Sequence, residues 1–254
     1  MLRPFPDLWR RLGWALALVG VLVVGAYAAA RGSIPDAAYI AQLQVEAGAA
    51  ANTAARARLE ALARGGLSEA QLAWGEILVA SAELPQVQAG VGWLERAWRA
   101  GIPEAALALG KRYLLASPGW TRDPVRAFAL FEGCARTGHA GCAYYLARMY
   151  SSGDGVAADK LQAFHWLEMA AVHREPAALF LLANAYRYGE GVAPDAARAL
   201  ALYEEAAERE HPLAIQTLLL AHRYGELGLS PDREAAYHDA LELAHALKHP
   251  ALDP

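Results

Sequence analysis

Cys134 and Cys142 are the only two thiols in the 254-residue chain. Such a pair can serve as a disulfide, as small buried apolar residues, or, if unpaired, as a nucleophile. A zinc site is excluded for the two alone, because four ligands are needed. A second group is His238, Glu242, His245 and His249, spaced i, i+4, i+7 and i+11. That spacing sets them on one stripe of a final helix, where they could hold a metal. The corresponding residues of earlier segments are Ala201, Glu205 and Glu208. A solvated outer face is the better reading of such a stripe. Gly153-x-Gly155 and Gly189-x-Gly191 look like phosphate cradles only in isolation. No strand precedes them and no Gly-Lys-Ser/Thr follows, so they read as turns between helices. The serines lack a G-x-S-x-G context, so Ser-His-Asp chemistry has no support. No catalytic residue, cofactor or metal is therefore assigned, and the chain reads as a non-enzyme.

The elements that position these residues are helical. Apolar residues make up 56% of the chain, aromatics only 9%. About a quarter of the chain is alanine, the strongest helix former and a poor strand residue. Net charge is −4 with no basic stripe, which sets nucleic acid aside as a partner. Only Leu12 to Ala30 runs long without a charge. As a helix those residues would span roughly 28 Å, close to a hydrocarbon core. Arg3, Arg10 and Arg11 precede the run, and Trp9, Trp14 and Tyr27 flank it as an aromatic belt would. Residues 1–31 therefore read as a cytoplasmic tail with a signal anchor, a transmembrane helix over about 12–30. The alternative is a cleaved signal peptide, since Ala26-Tyr27-Ala28 and Ala28-Ala29-Ala30 satisfy the small-x-small rule. The run's length favours the anchor, and either reading exports the body of the protein.

The remainder repeats about every 36 residues. Tyr150-Ser-Ser-Gly153-Asp-Gly155-Val156 returns as Tyr186-Arg-Tyr-Gly189-Glu-Gly191-Val192, then as His222-Arg-Tyr-Gly225-Glu-Leu-Gly228-Leu229. Asp123, Asp159, Asp195 and Asp232 stand after the loops, and Ala127, Ala163, Ala199 and Ala236 follow four residues later. Each unit reads as a helix pair. Pro103, Pro176 and Pro212 suit the first turn of the first helix. The Gly-x-Gly loop supplies positive φ at its end, and the Asp caps the second helix. The units fall at about 67–100, 101–137, 138–173, 174–209 and 210–249. Together they form one domain over 67–249, preceded by a linker and capping helix at 32–66 (Ala41–Arg64 as a helix or half-unit) and followed by a tail at 250–254.

These residues resemble the Sel-1-like repeat family, relatives of the tetratricopeptide repeat. The carrying residues are Leu146-Ala147, Tyr150, Gly153, Gly155, Asp159, Ala163 and Trp166, with their counterparts in 174–209. The 101–137 unit keeps Ala105, Leu109-Gly110, Tyr113, Asp123 and Ala127, but its loop Ser117-Pro118-Gly119-Trp120 departs from the pattern. The resemblance implies an all-α fold, a right-handed α/α solenoid of helix-turn-helix repeats behind one transmembrane helix. Seven residues separate Cys134 from Cys142, the spacing of the disulfide-bridged cysteine-rich Helicobacter proteins of this family. The likeness implies a Cys134–Cys142 bridge, in keeping with an oxidising compartment.

By analogy with tetratricopeptide repeats, a concave face is lined by the first helices. Its residues are Leu107, Lys111 and Leu114; Tyr144, Arg148 and Ser151; Phe180, Asn184 and Arg187; Gln216, Leu220 and Arg223. Lys111, Tyr144, Arg148, Phe180, Asn184, Arg187, Gln216 and Arg223 are the expected partner-binding residues, because aromatic and Arg side chains carry much of the energy of interfaces. The family likeness implies a non-catalytic scaffold or adaptor on the periplasmic side of a bacterial inner membrane. Its partner is a protein, an envelope-complex component or a secreted effector, and no small-molecule substrate is expected. A second expectation is an immunity protein occluding a lipase-type effector of type VI secretion. A third, less favoured, is β-lactam binding or hydrolysis, as in the cysteine-rich relatives.

Overall fold

The computed structural model describes residues 35–48, 52–115 and 120–248. Among them are twelve α-helices and no strand. The proposed membrane segment at 12–30 and the tail at 250–254 lie outside the described residues. No helix among the described residues is long and apolar enough to cross a membrane. The chain divides into two units, Met1–Ala73 and Trp74–Pro254.

In the first unit, α1 (Ala37–Gly48) and α2 (Thr53–Arg64) form a pair. Ile40, Leu43 and Ala47 are buried on one helix, and Ala55, Leu59 and Ala63 on the other. The sequence suggested a capping helix or half-unit over Ala41–Arg64. Within that stretch a new helix starts after Asn52, whose side chain accepts from the Ala55 N–H at 3.0 Å. Asn is among the strongest N-cap residues, and this cap separates two helices that alanine content alone would merge. Helix α3 (Ser68–Val79) begins in this unit and ends in the next.

The second unit continues with α4 (Leu84–Arg99), α5 (Pro103–Leu115), α6 (Pro124–Ala135), α7 (Ala140–Ser152), α8 (Lys160–Ala171), α9 (Pro176–Tyr188), α10 (Ala196–Ala207), α11 (Pro212–Tyr224) and α12 (Arg233–Ala246). Each helix from α5 onward packs on the next, which makes an α-solenoid of stacked pairs. One local grammar builds each pair. A first helix ends on a glycine in the left-handed region, as Gly153, Gly189 and Gly225 do. The chain then returns: the Asp159 N–H donates to the Tyr150 carbonyl and the Asp195 N–H to the Tyr186 carbonyl, both at 2.9 Å. Each Asp carboxylate next accepts an otherwise orphaned N–H of the second helix, as from Arg126, Gln162, Arg198 and Ala235.

The second glycine of the loop docks one repeat on another. A Cβ on Gly155 would stand 2.4 Å from the Pro124 carbonyl oxygen, and one on Gly191 2.1 Å from that of Lys160. Pro124 and Lys160 open the second helix of the preceding repeat. Alanine serves the same closeness inside the pairs, with Ala127, Ala163 and Ala199 all buried. Gly110 goes further, since a Cβ there would lie 2.5 Å from the Phe131 ring. Phe131 in turn stacks on Tyr145 of the following repeat, centroids 5.0 Å apart.

Candidate functional site

Cys134 closes α6 and Cys142 lies in the first turn of α7, and the two are bonded with Cα atoms 5.8 Å apart. Both sulfurs sit in the core beside Phe131 and Tyr145, fully buried. The positions one repeat later are Ala170 and Ala178, also fully buried, so the bridge stands where a small–small contact would do. No free thiol remains, and the nucleophile reading falls with it.

The histidine stripe does not assemble as one group. His238 Nδ1 lies 3.5 Å from Glu242 with both side chains exposed, while His245 faces Glu210 at 3.9 Å. Asp239 brings a ligand atom within 4.8 Å of those of His238 and Glu242. Its carboxylate is already engaged, 2.7 Å from His222 Nδ1. His222 holds the place of the signature Tyr150 and Tyr186, so the last repeat replaces an aromatic contact by this polar pair. His249 lies outside the described residues.

The first helices α7 and α9, with the start of α11, enclose a groove of about 470 Å³. It brings together four of the eight expected binding residues: Tyr144, Arg148, Phe180 and Asn184. Helical spacing explains the convergence. Tyr144 and Arg148 are four apart on α7, Phe180 and Asn184 four apart on α9, so each pair lines one face. Tyr144 is largely buried, whereas Arg148 is exposed. Lys111 lies one repeat earlier, in a neighbouring groove of about 510 Å³ with Leu107 and Arg112. Lys111 and Arg148 approach the same Tyr145 ring, at 5.3 and 5.5 Å from its centroid, and Arg148 also approaches Tyr144.

The remaining three expected residues stand elsewhere. Arg187 pairs with Glu226 at 2.5 Å, so it braces the repeat instead of lining the groove. Gln216 and Arg223 are exposed on α11, Arg223 beside the Tyr224 ring. Conversely, His211 and Leu213 line the groove and were not anticipated. His211 caps α11, its Nδ1 accepting from the Ala214 N–H at 3.3 Å, and its ring stacks on Phe180 at 4.9 Å. Burial pushes its pKa below the usual histidine value. A signal existed: His139 occupies the same place two repeats earlier and caps α7 in the same way.

Tyr203 fixes the groove from beneath. Its hydroxyl donates to Asn184 Oδ1 at 2.5 Å. Burial raises its pKa, with the nearby Arg187 charge opposing, and the hydroxyl stays protonated as a donor.

No curated protein matches the chain. The Sel1 repeat model matches residues 103–132, 140–171, 176–211 and 217–238. Among solved structures, a protective antigen of uropathogenic Escherichia coli with an SLR fold is 26% identical, with a TM-score of 0.69 over 75% of this chain and 41% of that one. The chain thus spans less than half the length of that relative. A Sel1 repeat protein from Oxalobacter formigenes shares the fold at 22% identity and a TM-score of 0.71, over 84% of this chain and 88% of its own. Four matched repeats, a shared fold and the loop grammar lead to one conclusion: the chain belongs to the Sel1 repeat family.

Proposed function

We propose that this protein is a non-catalytic interaction scaffold that holds a partner protein in the groove between α7 and α9. Sel1-repeat proteins are protein-interaction scaffolds, and that supports the general reading. The single observation that carries the specific one is the joint presence of Tyr144, Arg148, Phe180 and Asn184 in one open groove of about 470 Å³. Aromatic and Arg side chains at the centre of a concave patch are the usual anchors of interfaces. The stacked repeats supply a rigid support for them, with Tyr145, Tyr203 and Phe131 fully buried beneath.

The apolar run at 12–30 and the arginines before it support a signal anchor, which would place the solenoid on the periplasmic side of an inner membrane. A buried disulfide agrees with such an oxidising compartment. The test is a photo-crosslinking residue at Ser151, in the groove, set against one at Leu161, exposed on α8. In the native cell the Ser151 position should give a discrete adduct with a protein and Leu161 should not. Equal labelling from both positions, or none from Ser151, would remove the groove reading.

A further inference from the structure

The groove presents hydrogen-bond donors and a cation. Arg148 has two aromatic rings as its partners, and among the described residues no carboxylate pairs with it. Elsewhere Arg126, Arg136, Arg187 and Arg198 each have a carboxylate within ion-pair distance. Asn184 is oriented by its neighbours. The Tyr203 hydroxyl sends its proton to Asn184 Oδ1, an amide oxygen that can only accept. The Asn184 oxygen is thereby used, and its NH₂ group is left to serve the groove. His211 follows the same logic. Its Nδ1 is occupied as acceptor for the α11 cap, so the neutral ring carries its proton on Nε2, a donor. The acid that lines the groove, Glu190, is tied to Lys160 at 3.0 Å across the repeat boundary. Phe180 and Leu181 add apolar walls.

Resting on the groove reading above, we propose that the occupant is an acidic, extended peptide segment of the partner protein. A carboxylate sits against Arg148. The Asn184 amide and the His211 ring N–H donate to the segment's carbonyl or carboxylate oxygens, and an apolar side chain packs on Phe180. The chemistry selects acceptors with negative charge: three donors converge, and a basic segment would set its charge beside Arg148. Charge-assisted hydrogen bonds are roughly twice as strong as neutral ones, so the charge is the main discriminator.

The test is fluorescence anisotropy of the full chain in detergent with three labelled 12-residue peptides. One alternates Glu with Leu and Phe, one replaces each Glu by Gln, and one replaces each Glu by Lys. The acidic peptide should bind about tenfold or more tighter than the Gln peptide, and the Lys peptide more weakly than either. Arg148→Gln should abolish the Glu-over-Gln preference, while Phe180→Ala should weaken the acidic and Gln peptides alike. If the Gln or Lys peptide binds as well as the acidic one, and Phe180→Ala still weakens it, the groove stands and the acidic occupant is wrong. If all three fail to bind while Ser151 crosslinking still captures a folded partner, the extended acidic segment is again wrong. If Ser151 captures nothing, the groove reading itself falls.

Discussion

The Tyr203 hydroxyl meets Asn184 Oδ1 at 2.5 Å from the helix behind it, and this contact sets which way the groove's amide faces. Tyr203→Phe keeps the buried ring and removes the proton. A half-buried acceptor then loses its partner, which costs about 1 kcal/mol. Urea unfolding should show that loss without a change in slope. The Asn184 amide is also freed to rotate, so the preference for an acidic over an amide peptide should shrink even where the variant is fully folded. An unchanged midpoint and an unchanged preference would deny Tyr203 this positioning role.

The bridge between Cys134 and Cys142 closes a short loop, and loops of that length are worth about 2–3 kcal/mol. Native protein should label with a thiol reagent at neither residue. The paired substitution Cys134→Ala and Cys142→Ala should lower stability by about that amount and still give a folded solenoid. The reason is that Ala170 and Ala178 fill the same places in the next repeat and are fully buried. Two accessible thiols in native protein would refute the bridge.

Two glycines with similar φ separate backbone conformation from close approach. Gly138 has φ +90 and open space where a Cβ would stand. Gly191 has φ +77 and the Lys160 carbonyl oxygen 2.1 Å away. Gly138→Ala should cost about 1 kcal/mol, the penalty for left-handed backbone alone. Gly191→Ala adds a collision between repeats and should cost more than about 3 kcal/mol. Equal losses in denaturant midpoints would show that the second loop glycine does not dock the repeats.

His211 gives the fold a pH dependence of known sign. Burial holds its pKa below the ordinary histidine value, so on acidification the unfolded chain takes up this proton first. The residue contributes no slope above the usual histidine range. Stability falls as the pH drops through that range, then levels once His211 protonates in the folded state too. His211→Asn keeps an acceptor for the Ala214 N–H and removes the titration. Between pH 7.5 and 5 the wild type should lose more stability than this variant, measured by urea midpoint. Parallel pH profiles would contradict a half-buried His211 with a lowered pKa.

Much of the architecture is legible in the sequence because local rules repeat. Asp123, Asp159, Asp195 and Asp232 cap helices, and the loop glycines adopt positive φ, as their spacing and residue types require. The α1–α2 break was obscured because alanine-rich sequence runs on either side of the single cap residue, Asn52. The groove was half legible. Spacing on one helix gives Tyr144 with Arg148 and Phe180 with Asn184, since i and i+4 share a face. It does not give the diversion of Arg187 to Glu226, which depends on the loop of the following repeat. Nor does it give His211, whose role combines a cap at the start of one helix with a stack on Phe180 of another.

The most direct test of a partner held between α7 and α9 is competition for the Ser151 photo-adduct. Lysates of cells that make the full chain with the crosslinker at Ser151 are illuminated with and without excess acidic peptide, and the adduct is quantified by blot. The expected result is loss of the adduct with the acidic peptide and its persistence with the lysine peptide. An adduct that survives saturating acidic peptide would contradict an acidic segment in the groove, and one that forms equally well from Leu161, or none from Ser151, would contradict a partner seated there.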